Sequence, residues 1–125
     1  MKTVISAAGA PAAIGPYSHA IATGNLLFTS GQIALDPITG KLAGDTIEIQ
    51  TEQVLKNLEA VLAANDMTFA NVIKTTVFLT DLSDFATVNG IYATRFKDAP
   101  PARSCVQVAG LPAGSKIEIE LIACK

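Results

Sequence analysis

Apolar positions in this chain recur with two periods, and each period marks a different kind of element. Val54, Leu55, Leu58, Val61 and Leu62 fall at i, i+1, i+4, i+7 and i+8. That spacing winds one apolar stripe along a helix. Asp45 or Thr46 supplies its N-cap, Glu48 and Glu52 lie toward the positive end of its dipole, and Asn65 is its stop. Glu52 and Lys56 stand four residues apart, the spacing of an ion pair on a helix surface. Phe85, Val88, Tyr92 and Phe96 form a second stripe, capped by Ser83 or Asp84 and ended by Pro100 and Pro101.

The other apolar runs are short and rich in β-branched and aromatic residues, which reads as strands. They cover Thr3–Ile5, Ser18–Thr23, Leu26–Gln32, Val72–Thr80, Ser104–Val108 and Ile117–Ala123. Gly24-Asn25 suits a two-residue hairpin turn, and Asp36–Lys41 a second turn. Residues 7–16 and Gly110–Gly114 are loops. The order β-β-β-α-β-α-β-β predicts a single α+β domain over residues 1–125, a mixed sheet with two helices on one face.

The strand that opens at Arg103 is expected to pair with the closing run, residues 116–122. Alternation then places Ser104, Val106 and Val108 under the helices with Ile117, Ile119 and Leu121. Arg103, Cys105 and Gln107 project from the opposite face with Glu118 and Glu120. No helix is left to cover that face, yet Val72–Thr80 is apolar on both sides. Copies of the chain are expected to cover it.

Composition strengthens that expectation. Half of the residues are hydrophobic and only 16% are charged, against roughly 25% in an average soluble domain. The net charge is −2, with 9 Lys and Arg against 11 Asp and Glu and no basic run. The footprint that a phosphate backbone demands is missing, which argues against nucleic acid as a partner. No stretch approaches the roughly 20 apolar residues of a membrane span, and no signal-like segment opens the chain. Cys105 and Cys124 lie in strand-like runs and are expected to be free thiols in a reducing, cytoplasmic setting. One His and two Cys without close spacing offer no zinc site.

Arg103 is one of two arginines in the chain, the other being Arg95. A guanidinium at the mouth of an apolar strand needs an anionic partner if it is buried. Glu118 or Glu120 could be that partner, or a ligand's carboxylate could be. Cys105 reads as a small buried hydrophobe, because no activating His or Asp is near it in sequence. His19 reads as an exposed strand residue.

Pro101-Ala102-Arg103-Ser104-Cys105-Val106, Leu111-Pro112 and Ile117-Glu118-Ile119-Glu120 together resemble the signature of the RidA (reactive intermediate/imine deaminase A) family. Further matching runs are Ala13–Ser18, Thr29–Gln32, Lys74–Leu79 with Asp81-Leu82, and Phe85–Asn89. The resemblance implies a chorismate-mutase-like α+β fold, a homotrimer, and ligand clefts between subunits. It implies hydrolysis of 2-imino acids, formed from 2-aminoacrylate or 2-aminocrotonate, to 2-keto acids and ammonia, with no cofactor. In that chemistry Arg103 would hold the substrate carboxylate, and Glu118 would position water and move protons. The Cys105 backbone carbonyl would help hold the water. Tyr17, Ser30, the Gly31 backbone and Asn89 would line the substrate. Two other readings fit the same chain. One is a trimer that senses ligands or binds proteins without turnover. The other is an RNA-cleaving or translation-inhibiting relative, which the charge balance disfavours.

Overall fold

The first helix begins where a short polar side chain closes its first turn. In the computed structural model, which describes residues 1–125, Thr46 opens helix α1 (Ile47–Ala63) by accepting the Ile49 N–H at 3.2 Å. Helix α2 (Phe85–Tyr92) is reached through a 3-10 turn, Leu82–Asp84. Asp84 holds its N-cap position, as expected, but its side chain makes no cap bond; Asp81 instead caps the 3-10 turn, accepting the Ser83 N–H at 2.9 Å. α2 stops before Phe96, but the next turn still packs that ring 4.5 Å from Tyr92. Glu52 does not pair with Lys56. It accepts a 2.7 Å bond from Arg95, which ties α1 to the segment after α2 and holds the carboxyl below its ordinary value.

Six strands form one mixed sheet. They are β1 (Thr3–Ile5), β2 (Ala20–Thr23), β3 (Leu26–Thr29), β4 (Val72–Leu79), β5 (Ala102–Gln107) and β6 (Ile117–Cys124), in the order β1-β2-β3-β6-β4-β5. β2 and β3 are shorter than their apolar runs. The hairpin between them turns at Gly24, whose φ of 56° is the left-handed conformation glycine adopts freely. Both helices pack on one face. Val54, Leu55, Leu58, Val61 and Leu62 of α1 share one core with Val88 and Tyr92 of α2. Val77, Leu79, Ile117, Ile119 and Leu121 of the sheet complete it. No helix is long and apolar enough to cross a membrane.

One expectation fails in an instructive way. β5 does not pair with β6. It runs parallel to β4, with Thr75 opposite Arg103 and Val77 opposite Cys105. β6 lies on the other side of β4, antiparallel, with Phe78 opposite Glu118 and Thr76 opposite Glu120. The cause is the strand–helix–strand path from β4 through α2 to β5, a crossover that brings the chain back in the same direction. The faces therefore divide differently. Arg103, Cys105 and Gln107 share the helix side with buried Thr75, Val77 and Leu79. Ser104, Val106, Glu118 and Glu120 lie on the face without helices, with Thr76 and Phe78.

That open face carries an apolar row across four strands: Val4, Ile21, Phe28 and Ile122. In the single chain Phe28 and Val106 are each 42% exposed.

α1 also carries two buried amides that hold loops against it. Gln50 bonds Gly44 and Lys116. Asn57 donates to the carbonyls of Ile33 and Leu35 at 3.1 and 3.0 Å and accepts from Gln53 at 2.8 Å. Asn57→Ala leaves both carbonyls without this donor. The expected loss in a urea unfolding titration is about 2–4 kcal/mol. A loss below about 1 kcal/mol would show that the loop is held by its apolar contacts instead.

Candidate active site

The sheet builds two separate polar features, one on each face. The first centres on Glu118. Phe28 pairs with Ile122, and further along Gln32 bridges Ile119, so four residue steps on one strand oppose three on the other. This is a bulge, and it bends the chain at Ser30 and Gly31. The Thr29 hydroxyl accepts the Leu121 N–H at 3.0 Å there, so the irregular ladder leaves that donor satisfied.

Gly31 lets the Glu118 side chain lie directly on the backbone. A Cβ at residue 31 would fall 2.5 Å from Glu118 Oε2 and 2.6 Å from its Cδ. Only glycine permits this approach. Glu118 then borders a cleft walled by Ile14, Tyr17, Ser30, Gly31 and Pro112. No cation pairs with it, since the chain's one ion pair is Arg95–Glu52. Burial, and secondly the charge of Glu120, push its carboxyl above the ordinary value.

The cleft walls are fixed by local bonds. Ser30 Oγ donates to the Ser18 carbonyl at 2.7 Å. The Tyr17 hydroxyl accepts the Ile14 N–H at 3.2 Å, which folds the loop onto itself. His19 is not an exposed strand residue. Its Nδ1 accepts the Ala7 N–H at 3.0 Å, and its Nε2 lies 2.7 Å from the Pro11 carbonyl. An N–H donor at one nitrogen and an acceptor at the other assign the neutral ring with its proton on Nε2. Both nitrogens are engaged, so His19 staples the loop and is not a base.

The second feature centres on Arg103, on the helix face. Its guanidinium carbon lies 4.8 Å from the Tyr92 ring centroid and 5.4 Å from that of Phe85. It has no carboxylate partner within the chain. Tyr92 is itself anchored, its hydroxyl 2.7 Å from that of buried Thr75. Burial pushes the Tyr92 phenol up, against smaller opposing effects of Thr75 and Arg103. Asn89 shares the helix stripe of Phe85 and Tyr92, one turn from each. Cys105 follows two residues along the strand from Arg103. Burial raises its thiol, and the nearby arginine only partly opposes this, so the side chain stays protonated at neutral pH.

The residues singled out in the sequence therefore fall into two groups. Tyr17, Ser30, Gly31 and Glu118 meet in one cleft. Arg103, Cys105 and Asn89 lie across the sheet from it, and Arg103 does not meet Glu118 in the chain. Ile14 and Pro112 in the cleft wall were not anticipated, nor were Phe85 and Tyr92 around the arginine. Their helical spacing marked the two rings only as core. No group of three or more His, Cys, Asp or Glu is placed to hold a metal ion.

The chain is thus a small α+β protein with an unpaired arginine on one sheet face and a cleft carboxylate on the other. Comparison with known proteins places it more closely. Residues 7–125 match the family model described as Endoribonuclease L-PSP. The chain is 54% identical over 122 residues to the chloroplastic Reactive Intermediate Deaminase A of Arabidopsis thaliana, covering 98% of this chain and 65% of that protein. It is 49% identical to the 2-iminobutanoate/2-iminopropanoate deaminase of Homo sapiens, over 98% of this chain and 90% of that one. The conserved Rid family protein YyfA of Yersinia pestis superposes with a TM-score of 0.97 at 48% identity, with each chain covered fully (100% and 100%). E. coli TdcF, solved with bound serine, superposes at 0.94 with 44% identity, 98% of each chain covered. The chain belongs to the L-PSP family, in its RidA branch.

The close approach at Gly31 generates a direct test. Gly31→Ala must move the Glu118 carboxylate, because its flexible end is what the new methyl meets. A crystal structure of the variant is expected to show that carboxylate displaced, with unfolding free energy changed by no more than about 1 kcal/mol. An unmoved Glu118 would mean that the backbone at the bulge yields instead.

Proposed function

We propose that the chain is a 2-imino acid deaminase that works as a homotrimer, with Arg103 of one chain facing Glu118 of a neighbour across each cleft. The observation that carries this reading is the placement of two unpaired, opposite charges on opposite faces of one sheet. The apolar row on the open face supports association, because a neighbouring chain can bury it. The activity for which the human relative is named supports the reaction, and the serine bound to TdcF supports a small carboxylate ligand. The cytoplasm, where pyridoxal phosphate enzymes release enamines, is the setting that this chemistry fits.

The chemistry needs little beyond positioning. Arg103 pairs with the substrate carboxylate through parallel N–H···O bonds, a charge-assisted contact worth about 1.5–3 kcal/mol. The protonated imine carbon is already a strong electrophile. Glu118 aims a water at that carbon, accepts its proton as the C–O bond forms, and returns it to the nitrogen. The tetrahedral adduct then collapses: Glu118 takes the hydroxyl proton as the C=O bond forms and the C–N bond breaks, and passes it to the departing ammonia, so that the keto acid and ammonium leave. The Cys105 carbonyl holds the same water. The Gly31 backbone, Ser30 and Asn89 supply polar contacts, and Tyr17 closes the mouth. A raised carboxyl suits this shuttle, since its pKa lies nearer to working pH than that of an ordinary glutamate.

Glu118→Gln separates turnover from binding. With 2-iminobutanoate generated in situ, kcat is expected to fall about 100-fold or more, with 2-oxobutanoate binding retained. Arg103→Ala is expected to lose binding by about ten- to a hundred-fold. A wild-type protein that binds the keto acid without shortening the life of the imine would instead be a sensor.

The pH dependence has a definite sign. A raised carboxyl keeps its proton to higher pH, so the basic form is lost as pH falls through that raised value. The acid limb of the rate profile should therefore lie above the roughly 4.3 of a free glutamate. Glu120→Gln removes the like charge and should move that limb to lower pH. A limb that stays in place would assign the titration to another group.

A further inference from the structure

We propose that Phe85 and Tyr92 are positioning residues for Arg103, an aromatic seat that holds the guanidinium where an acidic side chain would ordinarily hold it. The inference rests on the reading of Arg103 as the carboxylate holder and extends it to how the arginine is kept ready. A half-buried guanidinium needs something to fix its position. In this chain it has no carboxylate partner, and two rings lie within 5.4 Å of its central carbon.

The choice of partner matters for function. A carboxylate would fix the arginine by occupying its N–H donors and cancelling its charge. An arriving substrate would then have to displace that carboxylate. An aromatic face attracts the cation through its quadrupole and takes up none of the donors. The guanidinium is thus oriented while its donors and its charge stay available.

The seat is itself rigid. Thr75 lies on β4 directly opposite Arg103, fully buried, and its hydroxyl is bonded to that of Tyr92. The strand that carries Arg103 and the ring that faces it are therefore referenced to the same residue. Tyr92 also packs against Phe96 behind it, at 4.5 Å. Phe85 is 40% exposed at the start of α2, so it can be changed without opening the core.

The test compares KM, kcat and 2-oxobutanoate affinity among Phe85→Leu, Phe85→Gln, Phe85→Glu and the wild type. Phe85→Leu and Phe85→Gln are expected to raise KM about three-fold, with kcat little changed. Phe85→Glu is expected to raise it about ten-fold, because the new carboxylate pairs with Arg103 and competes with the substrate. Glutamate at the start of a helix is compatible with folding, so the comparison does not depend on a damaged protein. Thr75→Val with Tyr92→Phe removes the anchoring bond without leaving either hydroxyl unpaired. It is expected to raise KM less than Phe85→Glu does.

Equal KM values for Phe85→Leu and Phe85→Glu, or a fall in kcat at constant KM, would overturn the seat. Arg103→Ala, measured alongside, separates the two layers of the argument. Retained affinity in that variant would remove the carboxylate-holder reading altogether. Lost affinity there, with Phe85→Glu unaffected, would remove the seat alone.

Discussion

A pleated strand sends neighbouring side chains to opposite sides, and in this sheet the pleat puts Arg103 and Glu118 on different faces. Most of the functional reading depends on that separation. One strand, β4, lies between the helix-side arginine on β5 and the open-side carboxylate on β6, and no rotamer carries one through the sheet to the other. A site that needs both must take them from different chains. The apolar row on the open face supplies the surface along which chains can meet. In the proposed trimer, catalytic geometry and association come from one feature of the sheet.

The same arrangement leaves both charged groups poised. Within one chain, Glu118 is pressed onto Gly31 without a cation, and burial raises its carboxyl. Arg103 is held by rings and lacks an anion. In the proposed trimer, a substrate carboxylate and the neighbour's groups would relieve both. Strain of this kind is where functional sites depart from the most stable solution. Elsewhere the polar groups are satisfied: no buried side-chain nitrogen or oxygen lacks a partner.

Much of this was legible in the sequence. The helix stripes, the Gly24 hairpin and the order of elements along the chain could be read from period and turn chemistry, because each is local. The pairing of the Arg103 strand could not be read from local signals, and the similar alternation of residues 104–108 and 117–122 favoured the wrong partner. The segment from Val72 to Gln107 held the missing clue. Strand, helix and strand in succession imply a parallel return to β4, and the register there, with Arg103 opposite buried Thr75, sets its face. The cleft at Glu118 depended on a bulge at Ser30 and Gly31, and a one-residue irregularity leaves no periodic trace. Phe85 and Tyr92 looked like core because one spacing serves both packing and an arginine seat.

The most direct measurement of the shared-site claim is complementation between two defective chains. Arg103→Ala and Glu118→Gln variants are purified separately, unfolded and refolded as an equal mixture, and assayed for imine hydrolysis. If each cleft joins the arginine of one chain to the carboxylate of the next, random trimers contain intact clefts, and activity is expected to return to about a quarter of wild type. If the mixture forms mixed trimers and stays as inactive as its components, the two residues do not meet between chains, and the account is wrong.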